Sequence, residues 1–247
     1  MTAVATGWAA AAGARALAFA DVLPTDDAVS WIDGPDGHHL QRVRRLAVGE
    51  TVVLADGAGR WLLTRITDER DGTVGVVAIG DLHEEPARTP TLTVAFAPAK
   101  RDHGTEVAHQ LVELGVDRIV PLRTERGVVR WDGERGDKQL ERLRRVVREA
   151  AMQCHRACVP ELGEPCTPAE LAARGGGLVV ADPLGAPVDR ASLPDTDTWV
   201  VLVGPEGGFA DSERAALDGA RHIAVGPHVL RAVTAPAAVA AAIAACR

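Results

Sequence analysis

Hydrophobic and polar positions follow two different patterns along this chain. Between residues 21 and 80 the apolar runs are short, and Gly- and Asp-containing turns separate them at residues 56–59 and 71–72. The runs at residues 51–55 and 73–79 have the composition of strands, and no long helix lies between them. This part of the chain therefore predicts a small β-barrel or sandwich.

After residue 90 the pattern changes to strands that alternate with helices. Strands are predicted at residues 92–97, 118–122, 178–181, 198–203 and 223–225, and helices at 105–114, 138–154, 168–174, 212–219 and 232–245. Such alternation is typical of a parallel sheet covered on both faces. The polar segment 81–90 holds two prolines and is the predicted linker, so we expect one domain over residues 1–83 and a second over 90–247.

Length and composition indicate the general class of protein. The 247 residues are 47% hydrophobic and 25% charged, which is ordinary for a globular protein of one large or two modest domains. The Ala-rich beginning has no basic region before it, and no apolar stretch reaches transmembrane length, so we expect a cytoplasmic protein without a membrane partner. Cys154, Cys158, Cys166 and Cys246 make no disulfide framework, and Cys154-His155-x-x-Cys158 lacks a second ligand pair, so no metal site is predicted.

The charge distribution is more informative than its sum. The formal net charge is −7, which argues against a uniformly basic nucleic-acid-binding protein. Residues 100–156 carry 13 basic and 10 acidic side chains, a local charge of +3, whereas the rest of the chain has −10. This middle segment is compatible with phosphate contacts and equally with a solvated helix of ion pairs. The same two interpretations stay open for Arg42, Arg44 and Arg45, which would point outward from a short helix.

Two Gly-Pro loops follow short apolar runs near the end of the chain, at residues 204–209 and 226–231. Loops just past strand ends are where open α/β sheets bind ligands, and glycines let the backbone approach a ligand closely. Two such loops close together suggest one pocket built from both. Ordinary turns between strands and helices also favour Gly and Pro, so the spacing leaves both readings open.

Five segments in order along the chain carry a family resemblance. They are His39-x-x-x-Val43-x-Arg45 with Gly49-Glu50 and Asp56-Gly57; residues 113–116, 119–122 and 124–126; residues 149–156 with Val159-Pro160; Gly204-Pro205-Glu206-Gly207-Gly208-Phe209 with Glu213; and residues 226–235. From about residue 90 the chain resembles the SPOUT class of S-adenosylmethionine-dependent RNA methyltransferases. As a whole it resembles the RsmE family, which methylates N3 of a uridine in 16S ribosomal RNA. It departs from the family pattern at Arg44, Gln110 and Val233.

The resemblance implies an α/β architecture in which an N-terminal PUA-like small β-barrel, an RNA-binding domain, precedes a SPOUT methyltransferase domain with a C-terminal trefoil knot. It also implies a homodimer, S-adenosylmethionine as cofactor, and 16S rRNA within the small ribosomal subunit as substrate. Three segments would hold the cofactor through Asp182, Pro183, Leu184, Leu202, Val203, Gly204, Glu206, Gly207, Gly208, Val225, Gly226, Val229 and Leu230.

Two residues are candidates for the chemistry. Arg231 would stabilise a developing uridine anion or hold an RNA phosphate, or it would pair with an acid such as Glu206 for structural reasons. Glu206 would be a base or, as we favour, an anchor of its loop. Candidates for RNA contact are Arg42, Arg45, Lys100, Arg126 and Arg156. For Arg156, capping of a helix end is the alternative.

Two other functions stay open from the sequence. The Gly-Pro-Glu-Gly loop is shared more widely among SPOUT proteins than the N-terminal signature, so a ribose 2′-O-methyltransferase acting on tRNA or rRNA is one alternative. A non-enzymatic RNA-binding assembly factor is the other, and its sequence support is Val233 where the family has Glu.

Overall fold

The computed structural model describes residues 13–25, 28–99 and 103–247, which divide into two compact units. The first unit contains the described residues up to Ala87 together with Ala151–Val159. The second contains Arg88–Ala150 and Pro160–Arg247. The division between Ala87 and Arg88 falls inside the polar segment 81–90, whereas the assignment of residues 151–159 to the first unit has no signal in the sequence pattern.

The first unit is built on a six-stranded sheet. Its elements are β1 (Leu17–Phe19), β2 (Ser30–Ile32), α1 (Gly34–His38), a π-helical turn (His39–Val43), β3 (Thr51–Ala55), β4 (Arg60–Arg70), β5 (Thr73–Ala78) and β6 (His83–Glu84). The strand order is β1-β3-β4-β5-β2, and β6 pairs with β4. Strand β1 runs parallel to β3, and the other pairs are antiparallel.

Alternating apolar side chains of this sheet form its core. Val52 and Leu54 of β3 are buried with Ile66 of β4 and Val76 of β5, as the period of two in a strand requires. The buried carboxylate of Asp36 accepts a hydrogen bond of 3.1 Å from the backbone N–H of Phe19. Burial of this acid is therefore compensated, and α1 is joined to β1.

The second unit alternates strands and helices. Its elements are β7 (Thr91–Phe96), α2 (His103–Glu113), β8 (Arg118–Pro121), α3 (Gly133–Gln153, whose last three residues cluster with the first unit), β9 (Glu161–Leu162), α4 (Pro168–Ala172), β10 (Gly177–Pro187), β11 (Thr198–Val203), α5 (Asp211–Ala216), β12 (Arg221–Ala224) and α6 (Ala235–Ala244). The strand order is β12-β10-β11-β7-β8-β9, and every pair is parallel. This is the parallel sheet that the sequence pattern predicts.

Helices cover this sheet because its central strands are apolar on both faces. Residues 199–203 of β11 are all buried, and β7 is buried from Leu92 to Phe96. Helix α6 packs against α2 and β7, and α4 packs against α5. In the order of the sheet, β11 lies between two neighbours and β12 lies at an edge, a difference that matters for the loops that follow them.

No helix within the described residues has both the length and the apolar composition needed to cross a lipid bilayer.

Candidate functional site

A cavity of about 540 Å³ lies at the carboxyl ends of β10, β11 and β12, which are adjacent in the sheet. Three segments form its walls, at residues 180–183, 203–209 and 222–230, and side chains of α5 and α6 contribute further lining. Its volume is within the usual range for small-molecule and cofactor sites, and the carboxyl end of a parallel sheet is the usual place for them.

The first wall is an outward bulge of β10. Ala181 and Ala186 both pair with Ile223 of β12, so the four residues between them leave the ladder. After the bulge the chain pairs with β12 again, and this requires glycine at position 185. A Cβ atom there would lie 2.5 Å from the backbone nitrogen of Ile223 and would clash with it. Asp182 and Pro183 line the cavity, whereas Leu184 is 95% exposed at the bulge and lies outside the lining.

Asp182 fixes the shape of this bulge. Its Oδ1 accepts a hydrogen bond of 2.9 Å from the backbone N–H of Leu184, and its Oδ2 lies 3.0 Å from Nδ1 of His222. The N–H of Leu184 lowers the pKa of Asp182, and His222 lowers it further, while partial burial acts in the opposite direction. The carboxylate therefore stays ionised and joins β10 to β12 beside the cavity.

The second wall is the loop from Val203 to Phe209. The N–H of Gly208 donates to the carbonyl of Pro205 at 2.8 Å and closes a turn, for which Gly208 adopts a φ of 67°. Phe209 is buried against Gly204, where a Cβ atom would lie 3.1 Å from the aromatic ring. Val203, Gly204, exposed Glu206 and Gly208 line the cavity.

Two predicted cofactor residues of this region do not line the cavity. Leu202 is fully buried in the core of the second unit, one position before the lining residue Val203. Gly207 packs instead against Arg126, whose Cβ would lie 3.4 Å from a Cβ at position 207. Arg126 was predicted to contact RNA, and the structure places its guanidinium against the carbonyls of Gly207 and Phe209 at 3.1 and 3.3 Å.

The third wall follows β12 and is more exposed. Val225, Gly226, Val229 and Leu230 all line the cavity, although the side chain of Val229 is 80% exposed. Arg231 is exposed and lies outside the lining. Its carbonyl accepts hydrogen bonds of 2.9 Å from the N–H groups of Thr234 and Ala235, at the start of α6.

The other predicted RNA contacts lie elsewhere in the chain. Arg42 is exposed in the first unit, and its Nη2 lies 2.6 Å from Oδ1 of Asp71. Arg45 is also exposed and adopts a left-handed backbone conformation with a φ of 53°. Arg156 is half-buried within the segment that clusters with the first unit. Lys100 lies outside the described residues.

Four polar lining residues were not predicted from the sequence: Arg214, Asp218, His222 and His228. A partial signal exists for His222 and His228, because both lie within a few residues of the second Gly-Pro. Arg214 and Asp218 lie at helical spacing after the first loop, a pattern shared by many exposed helices. With Asp182 and Glu206, the lining has three carboxylates and one arginine, which suits a ligand that carries positive charge.

Among the residues that the structure describes, no group of three or more His, Cys, Asp or Glu side chains could hold a metal ion.

Comparison with known proteins gives two family matches and several relatives. Residues 86–244 match the family described as RNA methyltransferase domain, and residues 32–77 match RNA methyltransferase PUA domain. The chain is 38% identical over 234 residues to ribosomal RNA small subunit methyltransferase E of Mycobacterium bovis, with 90% of this chain and 88% of that protein covered. It is 32% identical over 210 residues to the Synechocystis protein of the same name, with 81% and 67% covered.

Two solved structures are similar over almost the whole chain. One is a putative methyltransferase from Legionella pneumophila in complex with S-adenosylmethionine, with a TM-score of 0.81, 25% identity, and 93% of this chain and 96% of that chain covered. The other is a ribosomal RNA small subunit methyltransferase E from Neisseria gonorrhoeae bound to S-adenosylmethionine, with a TM-score of 0.80, 25% identity, and 92% and 96% covered.

Proposed function

Since this chain belongs to the ribosomal RNA small subunit methyltransferase E family, we propose that it transfers a methyl group from S-adenosylmethionine to N3 of a uridine in the 16S rRNA of the small ribosomal subunit. The resemblance that the sequence motifs carry is confirmed, together with an α/β methyltransferase fold and a PUA-like domain. S-adenosylmethionine-dependent methylation of rRNA follows from the family. The assignment of uridine N3 as the methylated atom goes further than family membership and is part of the proposal.

The cavity at the ends of β10, β11 and β12 is the observation on which the proposal rests. Its volume of about 540 Å³ suits a nucleoside-sized cofactor, and its walls combine apolar side chains with backbone that glycine leaves accessible. The ammonium and sulfonium groups of S-adenosylmethionine are positively charged, which matches a lining that contains Asp182, Glu206 and Asp218. The residues present therefore fit the cofactor.

Different parts of the lining would hold different parts of this cofactor. The backbone of Gly204, Gly208 and Gly226 would contact its polar edges, while Val225 and Leu230 would cover its apolar surface. When bound, the cofactor supplies an electrophilic methyl group on sulfur. The protein contributes mainly by positioning, because a displacement at carbon needs little covalent assistance.

The acceptor requires a further group, since N3–H of uridine is weakly acidic and reacts better as the proton leaves. Arg231 follows a lining residue directly and has an exposed side chain, so it is available to stabilise the developing uridine anion or to hold a phosphate. Glu206 is exposed on the cavity wall, where it serves as an anchor for the loop or as the base that receives the N3 proton.

The proposal includes a C-terminal trefoil knot and a homodimer. The support for the knot is that, after the edge strand β12, the chain returns to pack α6 against β7, which lies beyond β10 and β11 in the sheet. Seven of the ten residues of α6 are alanine, Val239 and Ile243 are buried, and Ala241 is exposed. A helix that is apolar all round is suited to burial on both sides, here by a second copy of the chain.

Methylation of small ribosomal subunits from a strain that lacks this enzyme tests the proposal. Purified protein and labelled S-adenosylmethionine should transfer the methyl group to 16S rRNA, and nuclease digestion with mass spectrometry should locate it on N3 of one uridine. A methyl group on ribose oxygen would instead indicate the 2′-O-methyltransferase. Binding of the cofactor without methyl transfer to any RNA would contradict the proposed catalysis.

Sedimentation at micromolar protein concentration would test the proposed homodimer.

A further inference from the structure

The segment after β8, residues 124–126, contacts the loop that forms the second wall of the cavity. We propose that Arg126 is a positioning residue, which together with Glu213 holds the Val203–Phe209 loop in the conformation that binds the cofactor. This inference rests on the proposed function, because it concerns affinity for S-adenosylmethionine. It also replaces RNA contact as the role of Arg126.

The first contact is made by the guanidinium of Arg126. Its Nη1 donates to the carbonyl oxygens of Gly207 and Phe209 at 3.1 and 3.3 Å. The carbonyl of Phe209 also accepts from Nε of Arg214 at 3.2 Å. Hydrogen bonds from a charged donor to a carbonyl are stronger than those between neutral groups, so these contacts restrain the loop strongly.

The second contact is made by the carboxylate of Glu213, which is only 7% exposed. Its Oε1 accepts from the N–H of Glu125 at 2.9 Å, and its Oε2 accepts from the N–H of Ala210 at 2.8 Å. The hydroxyl of Ser212 donates to the side chain of Glu125. One buried acid therefore links the segment after β8 to the end of the cofactor loop.

Together these contacts fix two peptide units at both ends. In the unit that joins Gly207 to Gly208, the carbonyl is held by Arg126 and the N–H by the carbonyl of Pro205. In the unit that joins Phe209 to Ala210, the carbonyl is held by Arg126 and the N–H by Glu213. The peptide unit between them, from Gly208 to Phe209, is oriented by its two neighbours, and both of its residues line the cavity.

The loop needs such restraint because three of its residues, Gly204, Gly207 and Gly208, are glycines. Glycine loses more conformational freedom on ordering than any other residue, and a flexible loop would pass that loss on to the free energy of cofactor binding. Arg126 and Glu213 order the loop during folding instead. Arg126 thus acts on the cofactor through the backbone of Gly207 and Phe209.

Replacement of Arg126 by alanine tests this role, with Arg123→Ala as the matched control. Arg123 lies in the same loop, but its side chain donates to Glu170 at 3.1 Å and makes no hydrogen bond to the cofactor loop in the described structure. Calorimetry should show that R126A binds S-adenosylmethionine at least about tenfold more weakly than the wild type, as loss of a charged hydrogen bond predicts. R123A should bind like the wild type, and R126K should recover part of the affinity.

Kinetics on small ribosomal subunits distinguish this role from RNA contact. R126A should raise the KM for S-adenosylmethionine while the KM for the RNA substrate changes by less than about twofold. A raised KM for RNA with unchanged cofactor affinity would overturn the inference, as would wild-type cofactor affinity in R126A. If R126A does not fold, R126K is used instead. The inference then requires that R126K bind the cofactor more weakly than R123A. Failure of the wild type to bind the cofactor would instead contradict the proposed function.

Discussion

The two Gly-Pro loops of the cavity resemble each other in sequence and differ in how they are held. The Val203–Phe209 loop has a buried aromatic ring at its end and carbonyls that accept hydrogen bonds from Arg126. The loop from Val225 to Arg231 has exposed side chains at Val229 and Arg231, and the carbonyl of Arg231 accepts hydrogen bonds from N–H groups at the start of α6. Similar motifs thus form one restrained wall and one exposed wall.

Their different places in the sheet explain this contrast. Strand β11 lies between β10 and β7, so its loop has the ends of other strands and the segment after β8 beside it. Strand β12 lies at the edge of the sheet, with β10 as its neighbour on one side. An interior strand end is surrounded by groups that can hold a loop, whereas an edge leaves a loop exposed on one side.

The largest expected effect comes from removing the buried acid of the restrained wall. Glu213→Ala should lower the free energy of unfolding by about 3 kcal/mol, because two N–H groups lose a charged acceptor. Glu213→Gln should cost less, since an amide oxygen can still accept one bond. Urea denaturation measures both, with Glu141→Ala on the exposed side of α3 as control. Equal small changes in the Glu213 and Glu141 variants would contradict the restrained wall.

Arg231→Ala tests the exposed wall and should act on turnover instead of stability. We expect kcat on small ribosomal subunits to fall about 100-fold, the effect of losing one group that stabilises developing charge. Cofactor affinity should stay within about twofold, because Arg231 does not line the cavity. Single-turnover methylation and calorimetry measure the two quantities.

Arg190→Ala is the control for this variant, since Arg190 is exposed in the same unit and pairs with Asp195 away from the cavity. Turnover of Arg231→Ala within a few fold of this control would remove Arg231 from the chemistry.

A smaller effect on the free energy of unfolding is expected when a glycine of each loop is replaced by alanine, and it should differ between the two loops. A Cβ at Gly204 would lie 3.1 Å from the ring of Phe209, so Gly204→Ala should cost about 1–2 kcal/mol of unfolding free energy through overpacking. A Cβ at Gly226 meets no atom within 4 Å, so Gly226→Ala should change stability by less than about 0.5 kcal/mol. Thermal and urea unfolding of both variants measure the two changes. Equal destabilisation by the two substitutions would contradict the difference in packing between the loops.

The smallest effect concerns the bulge of β10, which lies between the two loops in the cavity wall. The pKa of Asp182 is lowered by the N–H of Leu184 and then by His222, although burial opposes the shift. The unfolded chain therefore binds more protons than the folded protein at acidic pH. The stability due to this carboxylate is fully present above its ordinary pKa of 3.8 and is lost as the pH falls through the lower value in the folded protein.

Unfolding in urea at pH 6 and pH 3 measures this linkage. The difference in unfolding free energy between the wild type and Asp182→Asn should shrink at the lower pH. Leu184→Ala keeps the backbone N–H and should show no such change with pH. A difference for Asp182→Asn that is the same at both pH values would contradict the role of this carboxylate in the bulge.

Local pattern predicted the elements of the second unit well. The strand at residues 198–203 has the predicted limits, because an apolar run of six residues rich in β-branched side chains is too short for a helix and typical of a strand. The long helix begins at Gly133 instead of residue 138, since the start of a polar, exposed helix leaves a weak signal. Strand β10 continues to Pro187 beyond Asp182, because its bulge resembles a turn in sequence.

Within the candidate site, the sequence located the loops more reliably than the side chains. Leu202 and Val203 are adjacent and equally apolar, yet one is in the core and the other lines the cavity. Their alternation is readable, but which face of β11 meets the cavity depends on the helices packed against it. Leu184 extends outward for a similar reason, since its direction follows from the register between β10 and β12.

The sequence by itself determined the succession of strands and helices, the division into a β-rich part and an α/β part, and the two glycine-containing loops, because periodicity and turn residues act over a few neighbours. Only the tertiary structure decided that Arg126 and Glu213 restrain one loop and that Asp182 meets His222. Arg126 is 81 residues from Gly207, Glu213 is 88 residues from Glu125, and Asp182 is 40 residues from His222. Such contacts depend on the order of strands in the sheet, which brings distant segments together and leaves no periodic trace in the chain.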